Sequence, residues 1–340
     1  MEGDAGTPSS GFDMSELVMS EVHLGCPPRY SGPHITRFTF RLPPGHNARK
    51  ASCSNFVEGQ TTSTSHLLTV DEDGDLVLSR RNHVEASEQT AITIQHMITS
   101  SIPSVGLQVW KAALVLSDFV LHKVFSSSDF NNVVACEVGA GTGLVSLLLA
   151  QVAKTIFITD FGFQVLYNCA SNVKLNSGML KYHESSVYVR ELDWKRSWPP
   201  ASRVHPRDST PQRPDRYLWS LCEIEEAEGA SLLLAADVIY NDDLTDALFE
   251  TLGKLMSKGS EKVLYLTLEK RYNFTLDDLD VVANGYACFR SYVKEEEEAR
   301  TIGPSERCFL GKKIDLVEIP QYIQEYDRGN ELELWQIRYV

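Results

Sequence analysis

A glycine-rich segment, residues 133–144, holds the residue types and spacing best suited to bind a ligand in this chain. It reads VVACEVGAGTGL, an apolar run that contains Glu137 and then Gly139, Gly141 and Gly143. Because glycine has no Cβ and tolerates positive φ angles, such a turn between a strand and a helix lets backbone atoms approach a ligand closely. The segment therefore predicts a ligand-binding turn.

Two common ligands fit this spacing poorly. A dinucleotide-binding fingerprint requires its last glycine where this chain has Leu144. A phosphate-binding P-loop continues with Gly-Lys-Ser/Thr, which does not follow here. The remaining common ligand is S-adenosylmethionine (SAM), which carries no phosphate and would meet the turn with its amino-acid end.

Acidic residues end four predicted strands. The strands are predicted at 133–138, 155–160, 187–194 and 232–240, and the acids are Glu137, Asp160, Asp193 and Asp237. Asp160 lies 21 residues after Gly139, where a Rossmann-like unit places an acid that binds ribose hydroxyls. Since the carboxyl ends of the strands form the ligand crevice of an open α/β sheet, these four acids predict one site.

The elements that must position these residues alternate between strand and helix. Helical spacing of apolar residues is found at 105–123, 144–152, 163–173, 244–255 and 276–289, a fifth strand at 263–268, and a final antiparallel strand pair at 314–319 and 332–339. This alternation predicts an α/β fold, a Rossmann-like, mostly parallel sheet with helices on both faces.

Composition divides the chain into regions. Residues 1–65 are rich in Gly, Pro, Ser and Thr, and we predict a disordered or loosely attached arm. Residues 66–104 predict a β extension with a hairpin at an Asp-Gly turn, whose glycine is misplaced for a calcium loop. Residues 105–340 form the main domain, and 195–228, with five prolines and an acidic cluster, predict a surface insertion.

Charge and cysteine usage restrict the partners. The net charge of −14 argues against non-specific binding to nucleic acid and is compatible with a basic protein partner. The seven cysteines have no metal-ligand spacing, so we expect reduced thiols, no metal site, and a nuclear or cytoplasmic location. The longest apolar run, residues 144–153, is too short to span a membrane, and no signal peptide is expected.

Five motifs resemble one family. They are GLQVW at 106–110, EVGAGTGL at 137–144, TD at 159–160, LDW at 192–194 and DVIY at 237–240, with further likeness at 71–76, 242–247 and 268–276. The set resembles the seven-β-strand (class I) SAM-dependent protein-lysine methyltransferases over residues 66–340. The resemblance implies a seven-stranded sheet, SAM as cofactor, and methylation of a lysine on a non-histone protein, which in this family includes chaperones, translation factors and nucleic-acid-binding proteins.

The resemblance also implies roles for individual residues. The cofactor-binding set is Trp110, Glu137, Gly139, Ala140, Gly141, Thr142, Asp160, Asp193, Trp194 and Ala236, and the catalytic set is Asp237 and Tyr240. Glu137 would either favour the ammonium group of the cofactor or staple the loop. Asp237 would either hold the target amine or shape its own loop. Residues 269–271 are expected to be a solvated strand end, with contact to the substrate as the alternative.

Two other functions compete with lysine methylation. One is a SAM-binding scaffold that holds proteins together without catalysis. The other is methylation of a small molecule or a nucleic acid, but amino-methylating enzymes of this fold that act on nucleic acid commonly have Asn/Asp-Pro-Pro-Tyr/Phe where this chain has DVIY. We therefore expect a protein substrate that is basic, with no direct nucleic acid or membrane partner.

Overall fold

The computed structural model describes residues 17–23, 32–41, 89–180, 186–196, 198–200, 202, 215–275, 280–299 and 307–340. The strands are β1 (Leu17–Met19), β2 (His34–Arg41), β3 (Gln89–His96), β4 (Thr99–Ser101), β5 (Val134–Val138), β6 (Thr155–Asp160), β7 (Val187–Glu191), β8 (Leu232–Ala236), β9 (Val263–Glu269), β10 (Asn273–Thr275), β11 (Asp280–Val282), β12 (Val293–Lys294), β13 (Phe309–Ile314) and β14 (Leu332–Tyr339). The helices are α1 (Lys111–Ser126), α2 (Leu144–Leu149), α3 (Phe163–Leu175), α4 (Leu221–Glu228), α5 (Asp242–Met256), α6 (Asn284–Tyr292) and α7 (Glu296–Ala299).

One large sheet organises the described chain. Its strand order is β12-β13-β14-β9-β8-β5-β6-β7. Strands β5 to β9 are parallel, and β14 runs antiparallel to both β9 and β13. The predicted α/β class and a final antiparallel pair are confirmed, but the bounds predicted for the first strand of that pair, 314–319, are wrong. This strand is β13, and it ends at Ile314 because Asp315 caps a 3-10 helix, Leu316–Glu318. An eighth strand of two residues, β12, is added at the edge. The order reverses between β5 and β8, where such sheets bind ligands.

Both faces of this sheet are covered, which explains why its central strands are continuous apolar runs. On one face, α1, α2 and α3 pack over side chains such as Ala135 of β5 and Leu234 of β8. On the other face, α4, α5 and α6 pack over Cys136 and Leu233, the neighbouring positions on the same strands. The two faces alternate along each strand because successive side chains point to opposite sides.

Part of the first 65 residues belongs to the core, so the prediction of a loosely attached arm is wrong for 17–23 and 32–41. Strand β2 pairs antiparallel with β3 over its full length, and β1 pairs with β4. Phe38 and Phe40 of β2 are 1% and 0% exposed. The alternation in β2 is short and is surrounded by Gly/Pro-rich sequence, which hid it. The rest of this region, and the predicted hairpin at 67–78, lie outside the described residues.

Three other boundaries differ from the predictions. The helix predicted at 276–289 begins only at Asn284, after the antiparallel pair β10 and β11. The insertion predicted at 195–228 is wrong for its last part, because α4 is a core helix that begins with a capping box at Ser220. The helix predicted at 105–123 is a 3-10 helix, Ile102–Leu107, followed by α1, since Pro103 and Gly106 interrupt the α-helical pattern.

Helix α1 and the 3-10 helix before it form a long apolar segment. By length and composition the segment Ile102–Ser126 is apolar enough to cross a membrane, and 61% of its most apolar window is buried inside the protein. Asp118, within α1, is fully buried and accepts hydrogen bonds from the backbone of Tyr322 and Ile323 and from the side chains of Tyr326 and Arg328. This burial is typical of a core helix.

The packing of β2 gives a stability prediction. Phe40→Ala is expected to lower the free energy of unfolding by about 3–5 kcal/mol, because it removes a fully buried ring. Ile35→Ala on the same strand is the matched control: Ile35 is 57% exposed, and its loss should change stability by less than about 0.5 kcal/mol. Urea denaturation of both variants measures the difference, and similar values for the two would contradict the core role of β2.

Candidate functional site

A cavity of about 480 Å³ opens at the carboxyl ends of the central strands, where the strand order reverses. Every residue of the two predicted site sets lines it: Trp110, Glu137, Gly139, Ala140, Gly141, Thr142, Asp160, Asp193, Trp194, Ala236, Asp237 and Tyr240. The structure thus brings the predicted residues together from separate strands, and their individual roles stay predictions.

The turn after β5 has no space for a side chain at Gly139 or at Gly141. Gly139 and Gly141 have φ angles of +69° and +54°, which residues with a Cβ rarely adopt. A Cβ on Gly141 would lie 2.9 Å from the carbonyl oxygen of Gly106, and one on Gly139 would lie 2.6 Å from Cγ1 of Val238. The turn therefore exposes bare backbone to the cavity, as a backbone cradle for a ligand requires.

Asp160 ties the ends of β5 and β6 together. Its Oδ2 accepts a 2.7 Å hydrogen bond from the Gly141 amide, and its Oδ1 accepts one of 2.6 Å from the Phe161 amide. Burial raises the pKa of Asp160 to about 6, although these two bonds act in the opposite direction. Because each carboxylate oxygen can accept a further hydrogen bond, the side chain can still bind a ligand hydroxyl.

Glu137 is a buried acid beneath the glycine turn. It is 1% exposed, and its Oε2 accepts hydrogen bonds from the amide of Ser146, at 2.9 Å, and from the Ser146 hydroxyl. Burial, with a smaller contribution from the charge of Asp160, raises the pKa of Glu137 to about 8. The contact with Ser146 at the start of α2 is the loop-stapling one. A cation in the cavity would in addition stabilise the ionised form of Glu137.

Two tryptophans and Asp193 form another part of the wall. Asp193 Oδ1 accepts a 3.1 Å hydrogen bond from the Lys195 amide, which fixes the turn after β7. The indole Nε1 of Trp194 is buried and has no hydrogen-bond partner. The indole Nε1 of Trp110 donates to the Val105 carbonyl at 3.1 Å. These contacts orient the two rings beside the glycine turn.

Asp237 is held by an arginine that the sequence analysis placed in a solvated strand end. Arg271 donates two hydrogen bonds to its carboxylate, from Nη1 to Oδ1 at 2.8 Å and from Nη2 to Oδ2 at 2.6 Å. The Asp237 side chain is 3% exposed, and its backbone has a φ of +57°. This bidentate ion pair neutralises the charge of the Asp237 carboxylate, which favours loop shaping over holding the target amine.

Arg271 also contacts Trp110 in the wall of the cavity. Its guanidinium lies 5.1 Å from the ring centroid of Trp110, and its Nε lies 3.9 Å from Oε1 of Glu21. The carboxylates around it, foremost Asp237, raise the pKa of Arg271 despite burial. In the sequence, Arg271 could be noticed only as part of a basic pair that directly follows a strand ending at the site. The direction in which its side chain points follows from the fold alone.

Tyr240 stands at the opening of the cavity. It is 44% exposed, and it also lines a second, smaller cavity. Burial of the ring end and the nearby charges of Asp160 and Asp237 raise the pKa of Tyr240 to about 12. Its hydroxyl therefore stays protonated at neutral pH.

Gln108 also lines the cavity, although it is not among the predicted site residues. It is 2% exposed, and its side chain accepts from the Ser20 amide at 2.7 Å and donates to Ser100 Oγ at 2.7 Å and to the Val18 carbonyl at 3.1 Å. These bonds fasten the segment 17–23 to the wall of the cavity. Within the described residues, no group of three or more His, Cys, Asp or Glu side chains could hold a metal ion.

The sequence of the chain is similar to those of known methyltransferases. A protein-family model described as "Lysine methyltransferase" matches residues 86–208 and 218–281. The chain is 34% identical over 291 residues to methyltransferase-like protein 22 of Homo sapiens, covering 85% of this chain and 67% of that protein. It is 26% identical over 203 residues to protein N-lysine methyltransferase METTL21A of Mus musculus, covering 60% of this chain and 78% of that protein.

Among solved structures, magnesium protoporphyrin IX methyltransferase from Synechocystis PCC 6803 with bound SAH superposes with a TM-score of 0.36 and 10% identity, covering 67% of this chain and 83% of that chain. The methyltransferase domain of bacterial CtHen1 superposes with a TM-score of 0.39 and 13% identity, covering 67% and 99%.

The Asp237–Arg271 pair yields a stability prediction. Arg271→Met is expected to lower the free energy of unfolding by about 2–3 kcal/mol, because it leaves a buried carboxylate without its partner; the 30% exposure of Arg271 moderates the cost. Adding Asp237→Asn should restore most of the loss, since the unpaired charge is removed. Thermal and urea unfolding measure both variants, with exposed Arg338→Met as the control. Equal destabilisation of single and double variants would contradict the pair.

Proposed function

The chain belongs to the lysine methyltransferase family, and we propose that it transfers the methyl group of SAM to a lysine side chain of a protein. The observation that carries this proposal is the cavity at the sheet edge. In it, a backbone cradle, two strand-end acids and the opening at Tyr240 meet.

The residues of the cavity fit SAM. The bare backbone of Gly139 and Gly141 suits its amino-acid end, because a Cβ at either position would collide with the opposite wall. Asp160 suits the ribose diol as a hydrogen-bond acceptor, and Asp193 suits the adenine amino group. When bound, SAM supplies an electrophilic methyl group on its sulfonium sulfur.

The protein must also deliver a neutral amine. A lysine with a pKa near 10.4 is only about 0.1% neutral near pH 7.4, which corresponds to about 4 kcal/mol. An aromatic opening such as the one beside Tyr240 lowers that cost, because desolvation disfavours the ammonium form. Asp237, already paired with Arg271, keeps the loop before Tyr240 in place. The remaining contribution is alignment of the amine with the methyl group.

The finer parts of the proposal concern the substrate and the compartment. We propose a non-histone protein that is basic around its target lysine, because the net charge of −14 attracts such a partner. A nuclear or cytoplasmic location is proposed with it. The five cysteines among the described residues are free thiols, in agreement with a reducing compartment.

Cofactor binding gives the first functional prediction. Asp160→Ala and Asp193→Ala are each expected to weaken SAM binding about 10- to 150-fold, the loss of about 1.5–3 kcal/mol from one hydrogen bond to a charged group. Calorimetric titration of the purified protein measures this, with Asp129→Ala as the control, since that side chain is 62% exposed and lies outside the cavity. Unchanged affinity in both site variants would argue against this cavity as the cofactor site.

Methyl transfer itself is tested with labelled cofactor. Protein extract from cells that lack this enzyme is incubated with the purified protein and methyl-labelled SAM, and methyl-lysine is identified after hydrolysis. We expect label on lysine with wild type and with Tyr240→Phe, and a loss of at least about tenfold with Tyr240→Ala, which removes the aromatic wall. Tyr167→Ala, on α3 and 53% exposed, is the control. SAM binding without any transferred label would favour the scaffold alternative.

A further inference from the structure

A second cavity of about 70 Å³ adjoins the cofactor cavity at Tyr240, which lines both. Its other walls come from the end of β9, with Glu269 and Arg271, and from the start of α6, with Tyr286. The volume is several times the roughly 10–15 Å³ that one water needs. It therefore suits the end of one side chain, and we refer to it as the Tyr240–Tyr286 cleft.

The carboxylate of this cleft is less well paired than its neighbour Asp237. Oε2 of Glu269 is buried and accepts no hydrogen bond from the described residues. The nearest described cations are Nζ of Lys111, 3.8 Å from Oε1, and Nη2 of Arg271, 3.8 Å from Oε2, both beyond hydrogen-bond distance. Since buried acceptors in proteins are almost always hydrogen-bonded, this oxygen is open to a donor that the described residues do not supply.

The segment 17–23 places a second acid beside the first. Among the described residues, Oε2 of Glu21 is also buried without a hydrogen-bond partner, while its Oε1 lies 3.9 Å from Nε of Arg271. Burial and the charge of Glu21 raise the pKa of Glu269. Arg271 gives its hydrogen bonds to Asp237, so the Oε2 atoms of Glu21 and Glu269 stay open to an incoming cation.

The aromatic wall of the cleft already binds an ammonium group. Nζ of Lys270 lies 4.4 Å from the ring centroid of Tyr286 and is held there by an ion pair of 2.7 Å with Glu333. Cations favour the faces of tyrosine rings at such distances. The surroundings of the cleft are thus aromatic and acidic, which is the chemistry that recognises an alkylammonium group.

We propose that Glu269 is a substrate-binding residue that holds the ammonium group of the target lysine in the Tyr240–Tyr286 cleft, next to the cofactor cavity. This inference rests on the proposed function. The motif at 237–240 suggested that Asp237 contacts the target amine, but Arg271 already neutralises the Asp237 carboxylate. The proposal assigns this contact to Glu269 instead. The ammonium group would pass its proton to solvent water as it leaves this contact, and the neutral amine would enter the opening beside Tyr240.

The test uses n-butylammonium, which has the shape and charge of the end of a lysine side chain, and n-butanol as its neutral counterpart. Both are titrated into the full-length protein loaded with S-adenosylhomocysteine, and binding is followed by saturation-transfer NMR. We expect saturable binding of n-butylammonium, and not of n-butanol, to wild type. Glu269→Gln should weaken this binding about tenfold or more, because a charge-assisted contact is lost. Glu297→Gln, at an exposed position, should leave it unchanged.

Two further measurements separate binding from folding. The affinity of Glu269→Gln for SAM, measured by calorimetry, should equal that of wild type. If Glu269→Gln does not fold, Tyr286→Leu serves in its place and should also weaken n-butylammonium binding. The proposal is overturned if wild type does not bind n-butylammonium, or if both variants bind it as wild type does. Because no methyl transfer is needed, a failure of the proposed function would be seen separately, in the labelling experiment.

Discussion

Between β5 and α2 the chain passes so close to neighbouring segments that two positions of the turn, Gly139 and Gly141, have no space for a side chain. The rest of the site is arranged around this restriction. Gly141 lies against the backbone of Gly106, and Gly139 lies against Val238 and Trp194. All three neighbours line the cavity. Asp160 then fixes the turn through the Gly141 amide, so one strand end positions the next. A side chain on Gly141 would displace Gly106, and one on Gly139 would displace Val238 and Trp194.

The sequence was sufficient where a signal is local. A buried parallel strand is a short apolar run, and its carboxyl end is marked by an acid, so β5, β6 and β8 and the edge they share could be predicted. The glycine spacing predicted the ligand-binding turn for the same reason. The fold rule then brought Glu137, Asp160 and Asp193 to one edge without any knowledge of distances.

The features that the sequence could not predict depend on partners far along the chain. Arg271 meets Asp237 across 34 residues, and Gln108 meets Ser20 across 88. Whether a basic residue after a strand turns to solvent or to a buried acid is decided by the loop opposite, which has no signature of its own. Strand β2 was missed because its short alternating stretch is surrounded by sequence rich in Gly and Pro, and its pairing partner β3 lies far along the chain.

The acidic groups of the site divide into two kinds, although the chain as a whole carries a large negative charge. Glu137 and Asp160 lie in the interior with raised pKa values, so a cationic ligand would stabilise their ionised forms. Asp237 is neutralised by Arg271 and serves the backbone. Glu137 and Asp160 would thus attract a cationic ligand, whereas Asp237 fixes the geometry of its own loop.

The position of β14 has a consequence for the order of events during synthesis. β14 follows β9 and β13 in the chain and yet lies between them in the sheet. Until β14 is made, β9 has no partner on this side. The same strand contains Leu264, Leu266 and Leu268, which are buried in the folded protein. An unpaired apolar edge is a template for wrong pairing. The nascent protein therefore has a period in which β9 must be shielded, and slow or interrupted translation before residue 332 would favour aggregation over folding.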